Sequence, residues 1–462
     1  MTKQSGFLEA LKANFPAHLW STELGELKHY GQDWTYPEKP NPCAVFFPRG
    51  VENVVALVKL AAQHKIAIVP SGGRTGLSGG ACALNGEVVL SLTKMNKISA
   101  VDVVSRTVHV EAGAITEAVH EATKEHGLMW PVDFASKGSS TVGGNIATNA
   151  GGINVIKYGN TRHWVLGLEV VLANGEFLQL NGKLEKNNSG PDLKELFIGS
   201  EGILGIITGA ILKLAPLPAA KTTVLLGVSD VSAVHRIFKH GRESGANFHA
   251  FELFSASCME IVSHFSKVPN PLSTPAPWYL LTEWEGESAW FDPVLEMKGV
   301  VDGRMAQSSE ETKMIWAFRE RIAESVSLRQ NPNKNDISVA VDQVPEFLTT
   351  FGKTLPARFP RVDFFLYGHL GDGNLHLNTL PKEKVPPSEW AAMQLELNVA
   401  VAEITRDFHG SISGEHGVGI IKKPYLEYCL SKGEIDLIRG LKGVFDPGNI
   451  LNPGKVVDGP RA

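Results

Sequence analysis

Glycine placement constrains this chain more than any other feature. Of its 46 glycines, 22 fall between Gly72 and Gly209, nearly half of them in under a third of the 462 residues. Overall usage is roughly 10% against a typical value of about 7%, so the clustering carries the information. Glycine is used where backbone takes positive φ or approaches another group closely. The crowding resolves into three runs: PSGGRTGLSGG at 70–80, GSSTVGGNIATNAGG at 138–152 and GSEGILGIIT at 199–208.

The surroundings of the first run are regular. After an N-terminal helix and a Pro-rich entry at 36–42, residues 43–47 form an apolar run. Residues 52–64 repeat Val54, Val55, Leu57, Val58, Leu60 and Ala61 at helical spacing, and 66–69 form a second apolar run that ends in the glycine loop. This pattern predicts a β-α-β unit with the loop at a strand's carboxyl end, where open α/β sheets bind ligands. Short strands follow at 88–92, 107–110 and 165–172, with Asn174-Gly175 as a hairpin turn and 215–218 (APLP) as a linker. From 219 to 430 the texture changes to long amphipathic helices (308–328, 390–408) between strands at 222–228, 278–284 and 362–367. The expected organisation is α+β in two domains, 1–218 and 219–430, with a C-terminal segment at 431–462.

Bulk properties exclude several classes. A net charge of -5 with pI near 6.3 lacks the basic field of a nucleic-acid binder. No stretch is apolar enough for a membrane span, and the N-terminus carries Glu9 and no apolar signal core. Cys43, Cys82, Cys258 and Cys429 are scattered, as expected of reduced thiols in a cytoplasmic protein and not of a zinc or iron–sulfur framework.

The first loop lacks both the GK[ST] ending of a nucleotide-triphosphate loop and the GxGxxG of a nicotinamide fingerprint. It still offers a row of backbone N–H groups after a strand, which is an anion nest; taken alone it also fits a surface hairpin. The second loop adds the hydroxyl and amide groups of Ser139, Ser140, Thr141, Asn145, Thr148 and Asn149. Three such loops together call for a large polar cofactor with a diphosphate.

The second chemical segment is YGHLGDGNLHLN at 367–378. A strand delivers His369, Gly-Asp-Gly-Asn makes a turn, and period-two geometry puts His376 and Asn378 on one face. Further on, residues 411–419 offer Glu415 and His416 between glycines. Two histidines and a carboxylate suit a catalytic divalent ion, but the same spacing also fits core and turn histidines bonded to their neighbours.

Residues 40–215 resemble the FAD-binding domain of the vanillyl-alcohol oxidase / p-cresol methylhydroxylase (PCMH) superfamily, with all three loops in order. Residues 20–456 resemble the FAD-linked D-2-hydroxyacid dehydrogenases. The resemblance implies a two-lobed PCMH-type FAD-binding domain, an α+β cap domain carrying the substrate, and a C-terminal segment returning to the FAD domain. It implies FAD contacts at Pro70, Ser71, Gly72, Gly73, Arg74, Thr75, Gly76, Ser78, Gly79, Pro131, Gly138, Ser139, Thr141, Gly144, Asn145, Thr148, Gly151, Glu201, Gly202, Ile206, Ile207 and Asn452. Some relatives attach flavin to a histidine of the first loop; Arg74 follows Gly72-Gly73 here, so FAD is expected to be non-covalent.

In family members acting on D-2-hydroxyglutarate, the positions matching His369, His376 and Glu415 bind a divalent metal (zinc, or alternatively manganese). Those matching Arg319, Lys334 and Asn378 bind substrate, and that matching His416 is the base. One clamp residue, a Thr in the family, is Ala323 here. A plainer account of Arg319 is a surface ion pair with Glu320 or Glu324 on the 308–328 helix. The implied reaction is oxidation of a D-2-hydroxy acid, D-2-hydroxyglutarate first, with D-lactate, D-malate or glycolate as alternatives. The implied partners are an external acceptor (electron-transfer flavoprotein, quinone or cytochrome) and a second copy in a homodimer. The protein is expected in the cytoplasm, or alternatively peripheral at the inner membrane. A flavin-dependent transferase of the alkylglycerone-phosphate synthase type and a non-catalytic flavoprotein subunit are the alternatives of another class.

Overall fold

The computed structural model describes residues 3–35 and 39–459. Tyr36 and Pro37, the start of the Pro-rich entry, lie outside the described residues. The chain forms two compact units: one of residues up to Gly152, Gly159–Leu217 and Glu415 onward, the other of Ile153–Tyr158 and Pro218–Gly414. The chain crosses briefly at Ile153–Tyr158 and again after Leu217, within the 215–218 segment. The return falls at Glu415, ahead of the expected 431, because Val418 and Gly419 donate backbone hydrogen bonds to Glu201 at 2.6 and 2.9 Å inside the first unit.

In the first unit, four short strands run in the order Trp20–Ser21, Ala44–Phe46, Val88–Ser91, Ile68–Ser71. The expected β-α-β unit is present, but its two strands are not neighbours: both pair in parallel with Val88–Ser91, which lies between them. The linking helix Val51–His64 buries Val54, Leu57, Val58 and Ala61, and Lys65 in left-handed conformation (φ 54) ends it. A second sheet, antiparallel throughout, has the order Thr107–Glu111, Ile206–Lys213, Val165–Val171, Phe177–Leu180. Asn174-Gly175 turns its hairpin, with Gly175 at φ 78. One core joins both sheets through Phe7, Phe46, Val110, Trp130, Val170 and Phe197.

The C-terminal helix Lys432–Phe445 opens with a capping box made by Ser431 and Glu434. Its buried Lys442 ion-pairs with Asp446 and donates to the carbonyls of Ile203 (2.9 Å) and Leu451 (2.6 Å). The tail then adds itself to the edge of the strand that leads into the first glycine loop: Ile68 donates to Ile450 (2.7 Å) and Asn452 donates back to Ile68 (2.8 Å).

The second unit is built on a seven-stranded antiparallel sheet ordered Val300–Met305, Lys221–Val228, Trp278–Glu285, Asn247–Ser255, Val362–His369, Asn374–Pro381, Asn333–Ser338. Period-two alternation gives its faces different partners. Leu253, Leu366, Leu375, Leu377 and Ile337 pack with Val234, Ile237, Phe347, Phe351 and Leu397 of three helices. On the other face Phe254, Tyr279, Phe365 and Tyr367 pack with Met259, Val262, Ile315, Phe318 and Val326. The expected single helix at 308–328 is two, Ser309–Glu320 and Ile322–Arg329, broken where Arg321 leaves helical geometry (φ -89, ψ 0).

Candidate active site

In the first unit the three glycine loops pack on one another. A Cβ on Gly73 would stand 2.1 Å from the Ser139 carbonyl oxygen, so backbone excludes a side chain there, and one on Gly72 would stand 2.2 Å from Thr141 Oγ1, which would have to shift. The third loop ties to the second through Gly199 N–H to Ile146 O (3.0 Å) and Glu201 N–H to Ala147 O (2.8 Å). Asn452 Nδ2 donates to the carbonyls of both Gly80 (3.0 Å) and Glu201 (2.8 Å), joining tail, first loop and third loop.

Several expected cofactor residues build this scaffold. Asn145 Nδ2 donates to Thr116 Oγ1 (2.7 Å), and Thr148 Oγ1 donates to the Gly144 carbonyl (3.1 Å). Ser78 Oγ donates to the His416 carbonyl (3.1 Å), and Pro131, Ile206 and Ile207 are buried. Gly138 and Ser139 are exposed.

Four buried polar atoms on these segments have no hydrogen-bond partner among the described residues: Ser71 Oγ, Arg74 Nη1, Thr141 Oγ1 and Asn452 Oδ1. Buried polar groups are nearly always paired, so a cluster of unpaired ones around glycine-walled backbone fits a polar group that the chain itself does not supply. Arg74 is held in place by Tyr30, whose ring centroid is 4.4 Å from the guanidinium carbon, and by His29 at 2.8 Å. A diphosphate with a flavin and an adenosine matches that donor and acceptor set.

The second unit brings His369, His376, Asn378 and Lys334 to one face of its sheet. His376 lies opposite Tyr367 on one neighbour and Asp336 on the other, and Asn378 lies opposite Lys334. The rings of His369 and His376 are 5.4 Å apart, edge to face. Each meets a buried carboxylate through Nδ1: His369 faces Glu252 Oε1 at 2.9 Å and His376 faces Asp336 Oδ1 at 3.7 Å. A carboxylate hydrogen-bonded to Nδ1 orients a metal-ligating imidazole; His369 has that bond to Glu252, while Asp336 makes only the longer contact to His376, and two adjacent imidazoles so placed fit a divalent ion.

Arg319 is buried, not on the surface. It pairs with Glu252 (Nε to Oε2, 2.7 Å) instead of Glu320 or Glu324, and it stacks on Tyr367 with 4.9 Å between guanidinium carbon and ring centroid. Burial works against the charged form of Glu252, yet the attraction of His369 and Arg319 outweighs it and holds the carboxyl below its ordinary range. Asn378 Nδ2 donates to Tyr367 Oη at 3.1 Å. Lys334 is half-buried, and burial alone pushes its ammonium below the ordinary lysine value. No carboxylate among the described residues forms an ion pair with it. Half-buried Asp372, on the turn between the two histidine strands, is pushed up to about 6, desolvation being the largest cause.

Glu415 and His416 belong to the first unit, with Glu415 Oε1 3.8 Å from His416 Nε2. Their loop is fixed by Glu201, whose carboxylate accepts from Val418 and Gly419, and by Ser78, whose carbonyl accepts from Ile420 (2.9 Å) and Ile421 (3.1 Å). Burial pushes the Glu201 carboxyl up to about 6, with the two amides pulling the other way. The Glu201 side chain thus holds the segment after His416.

Sequence reasoning missed Glu252, and gave Asp336 and Tyr367 no role. For Glu252 a signal existed: it is a lone carboxylate within the apolar run of Asn247–Ser255, and buried charges need partners.

Residues 42–181 match a family described as an FAD binding domain, and residues 217–456 match the FAD linked oxidases, C-terminal domain. The chain belongs to the FAD-linked oxidases and binds FAD. Over 458 residues it is 43% identical to a D-2-hydroxyglutarate dehydrogenase of Xanthomonas citri pv. viticola, covering 97% of this chain and 96% of that one. A D-2-hydroxyglutarate dehydrogenase of Stutzerimonas stutzeri is 42% identical over 443 residues, covering 94% and 95%. The solved structure of p-cresol methylhydroxylase shares the fold, with a TM-score of 0.77 at 18% identity over 99% of this chain and 97% of that one.

Proposed function

We propose that this FAD-dependent dehydrogenase oxidises D-2-hydroxyglutarate to the corresponding 2-oxo acid. The observation that carries the substrate choice is Lys334. A half-buried ammonium without a carboxylate partner, on the sheet face that also bears Asn378, His376 and His369, calls for an anionic ligand. Arg319 lies on that face too, and a diacid brings a second carboxylate for these cations where D-lactate brings none. The full-length likeness to D-2-hydroxyglutarate dehydrogenases supports the same reading.

Bound FAD supplies the hydride acceptor, and a divalent metal, zinc or manganese, supplies a Lewis acid for the α-hydroxyl. His369, His376 and Glu415 are the residues we assign to hold the metal. His416 takes the hydroxyl proton on an imidazole nitrogen, acting as the general base. Asn378 orients the substrate, and Arg319 with Lys334 holds its distal carboxylate. The substrate loses one hydride and one proton, so two electrons remain with the flavin for an external acceptor: electron-transfer flavoprotein, quinone or cytochrome. FAD is held without a covalent bond, the first loop carrying Arg74 and no histidine. We assign the protein to the cytoplasm; among the described residues no helix is long and apolar enough to cross a membrane.

The test is anaerobic flavin reduction with a panel of D-2-hydroxy acids. D-2-Hydroxyglutarate is expected to bleach the flavin at lower concentration than D-lactate, D-malate or glycolate. Faster reduction at lower concentration by D-lactate would overturn the substrate assignment.

A further inference from the structure

Two of the residues assigned above, the metal ligand His369 and the clamp Arg319, meet at a single carboxylate. Glu252 is 1% exposed and stands in the strand Asn247–Ser255, in register opposite His369. Its Oε1 is 2.9 Å from His369 Nδ1 and its Oε2 is 2.7 Å from Arg319 Nε. The triangle closes through Arg319 Nη2, 3.4 Å from His369 Nε2.

The proton positions follow from donor chemistry. A guanidinium only donates, so His369 Nε2 presents its lone pair to Arg319. The proton of a neutral ring is then on Nδ1, where the Glu252 carboxylate accepts it. This is the tautomer a metal bound at Nε2 requires. Arg319 Nη2 therefore meets the same lone pair that a metal would take. The Nε–Oε2 bond tethers Arg319 independently of Nη2, so losing the Nη2 contact does not cast the side chain loose.

We propose that Glu252 is a positioning residue that couples metal binding to substrate binding, fixing the His369 tautomer with one oxygen and tethering Arg319 with the other. The inference rests on the metal and clamp assignments made under the proposed function. A metal on His369 Nε2 displaces Arg319 Nη2, which becomes available to the substrate's distal carboxylate. By linkage, the diacid in turn strengthens metal binding. A buried ion triad with no such role would be replaceable by other well-packed groups at little consequence to either ligand.

The test uses FAD-loaded protein stripped of metal by chelation and titrated with Zn2+ or Mn2+ in a calorimeter, without turnover. Glu252→Gln has one carbonyl oxygen for two donors, and its NH2 group facing His369 favours the opposite tautomer. It is expected to bind metal about 10–100-fold more weakly. Arg319→Met removes the competitor for Nε2 and leaves Glu252 to His369 alone, so it is expected to bind metal more tightly than the unmodified protein. In the unmodified protein, saturating D-2-hydroxyglutarate should tighten metal binding, and in Arg319→Met that tightening should shrink. Unchanged metal affinity in Glu252→Gln, or weaker binding in Arg319→Met, would overturn the inference while leaving the metal site standing. An unmodified protein that binds no metal would instead overturn the metal assignment, and the inference with it. If Glu252→Gln fails to fold, the sign of the Arg319→Met effect decides.

Discussion

Replacing Lys334 by methionine separates the substrate account from any general role in stability. The side chain stands opposite Asn378 on the antiparallel pair Asn333–Ser338 and Asn374–Pro381, with burial as the cause of its lowered pKa. A hydrogen bond to a charged group contributes about 1.5–3 kcal/mol. At about 1.4 kcal/mol per factor of ten, losing it raises KM for D-2-hydroxyglutarate by roughly 10–150-fold. D-Lactate has no distal carboxylate, so its KM should stay within about twofold of the unmodified enzyme. Stability should move the other way. A lysine with a depressed folded-state pKa opposes folding at every pH below that value, and its penalty vanishes above the unfolded value of about 10.4. Lys334→Met therefore is expected to melt at or above the temperature of the unmodified protein at pH 7, and the difference should shrink towards alkaline pH. Steady-state kinetics with an artificial electron acceptor and thermal denaturation at several pH values read both effects. Equal rises in KM for the diacid and for D-lactate, or a marked fall in melting temperature, would refute the reasoning.

The remaining expectations concern other parts of the site. His416→Ala should lower kcat by about 10²–10⁴-fold with KM little changed, read by rapid-mixing flavin reduction. A paired Ser71→Ala and Thr141→Val variant removes two unpartnered buried hydroxyls, and equilibrium dialysis should show weaker FAD retention in a folded protein. Glu201 is pushed up to about 6 by burial, so its contribution to stability is fully present below the unfolded carboxylate value and is lost as pH rises through about 6. The melting temperature of the unmodified protein, measured against Glu201→Gln, should therefore gain between pH 7.5 and pH 5. Chelator treatment should abolish turnover and leave the flavin spectrum in place, with zinc or manganese restoring activity.

Much of the fold was legible because its signals are local. The apolar spacing at 52–64 specifies its helix, and Asn174-Gly175 specifies its hairpin. The glycine loops and the histidine segment carry enough local chemistry to indicate a family, which the full-length likeness bears out. What escaped depends on distant pairing. Glu252 meets His369 across 117 residues, a register that no local periodicity encodes. The early return of the chain at Glu415 depends on a carboxylate 217 residues away from the amide it accepts. The break at Arg321 lies within a continuous amphipathic pattern, so spacing alone reads through it. Arg319 next to Glu320 and Glu324 looks like an exposed helical pair until the sheet beneath supplies a better-placed partner.

The central claim is that this FAD-dependent dehydrogenase takes a D-2-hydroxy diacid and passes its electrons to the flavin. Anaerobic titration of metal-replete, FAD-loaded protein with D-2-hydroxyglutarate tests it most directly. The account predicts loss of the oxidised flavin band in proportion to substrate, with the 2-oxo acid formed in equal amount. A flavin that stays oxidised with this diacid, in a preparation that another D-2-hydroxy acid or a different reductive substrate does bleach, would contradict it.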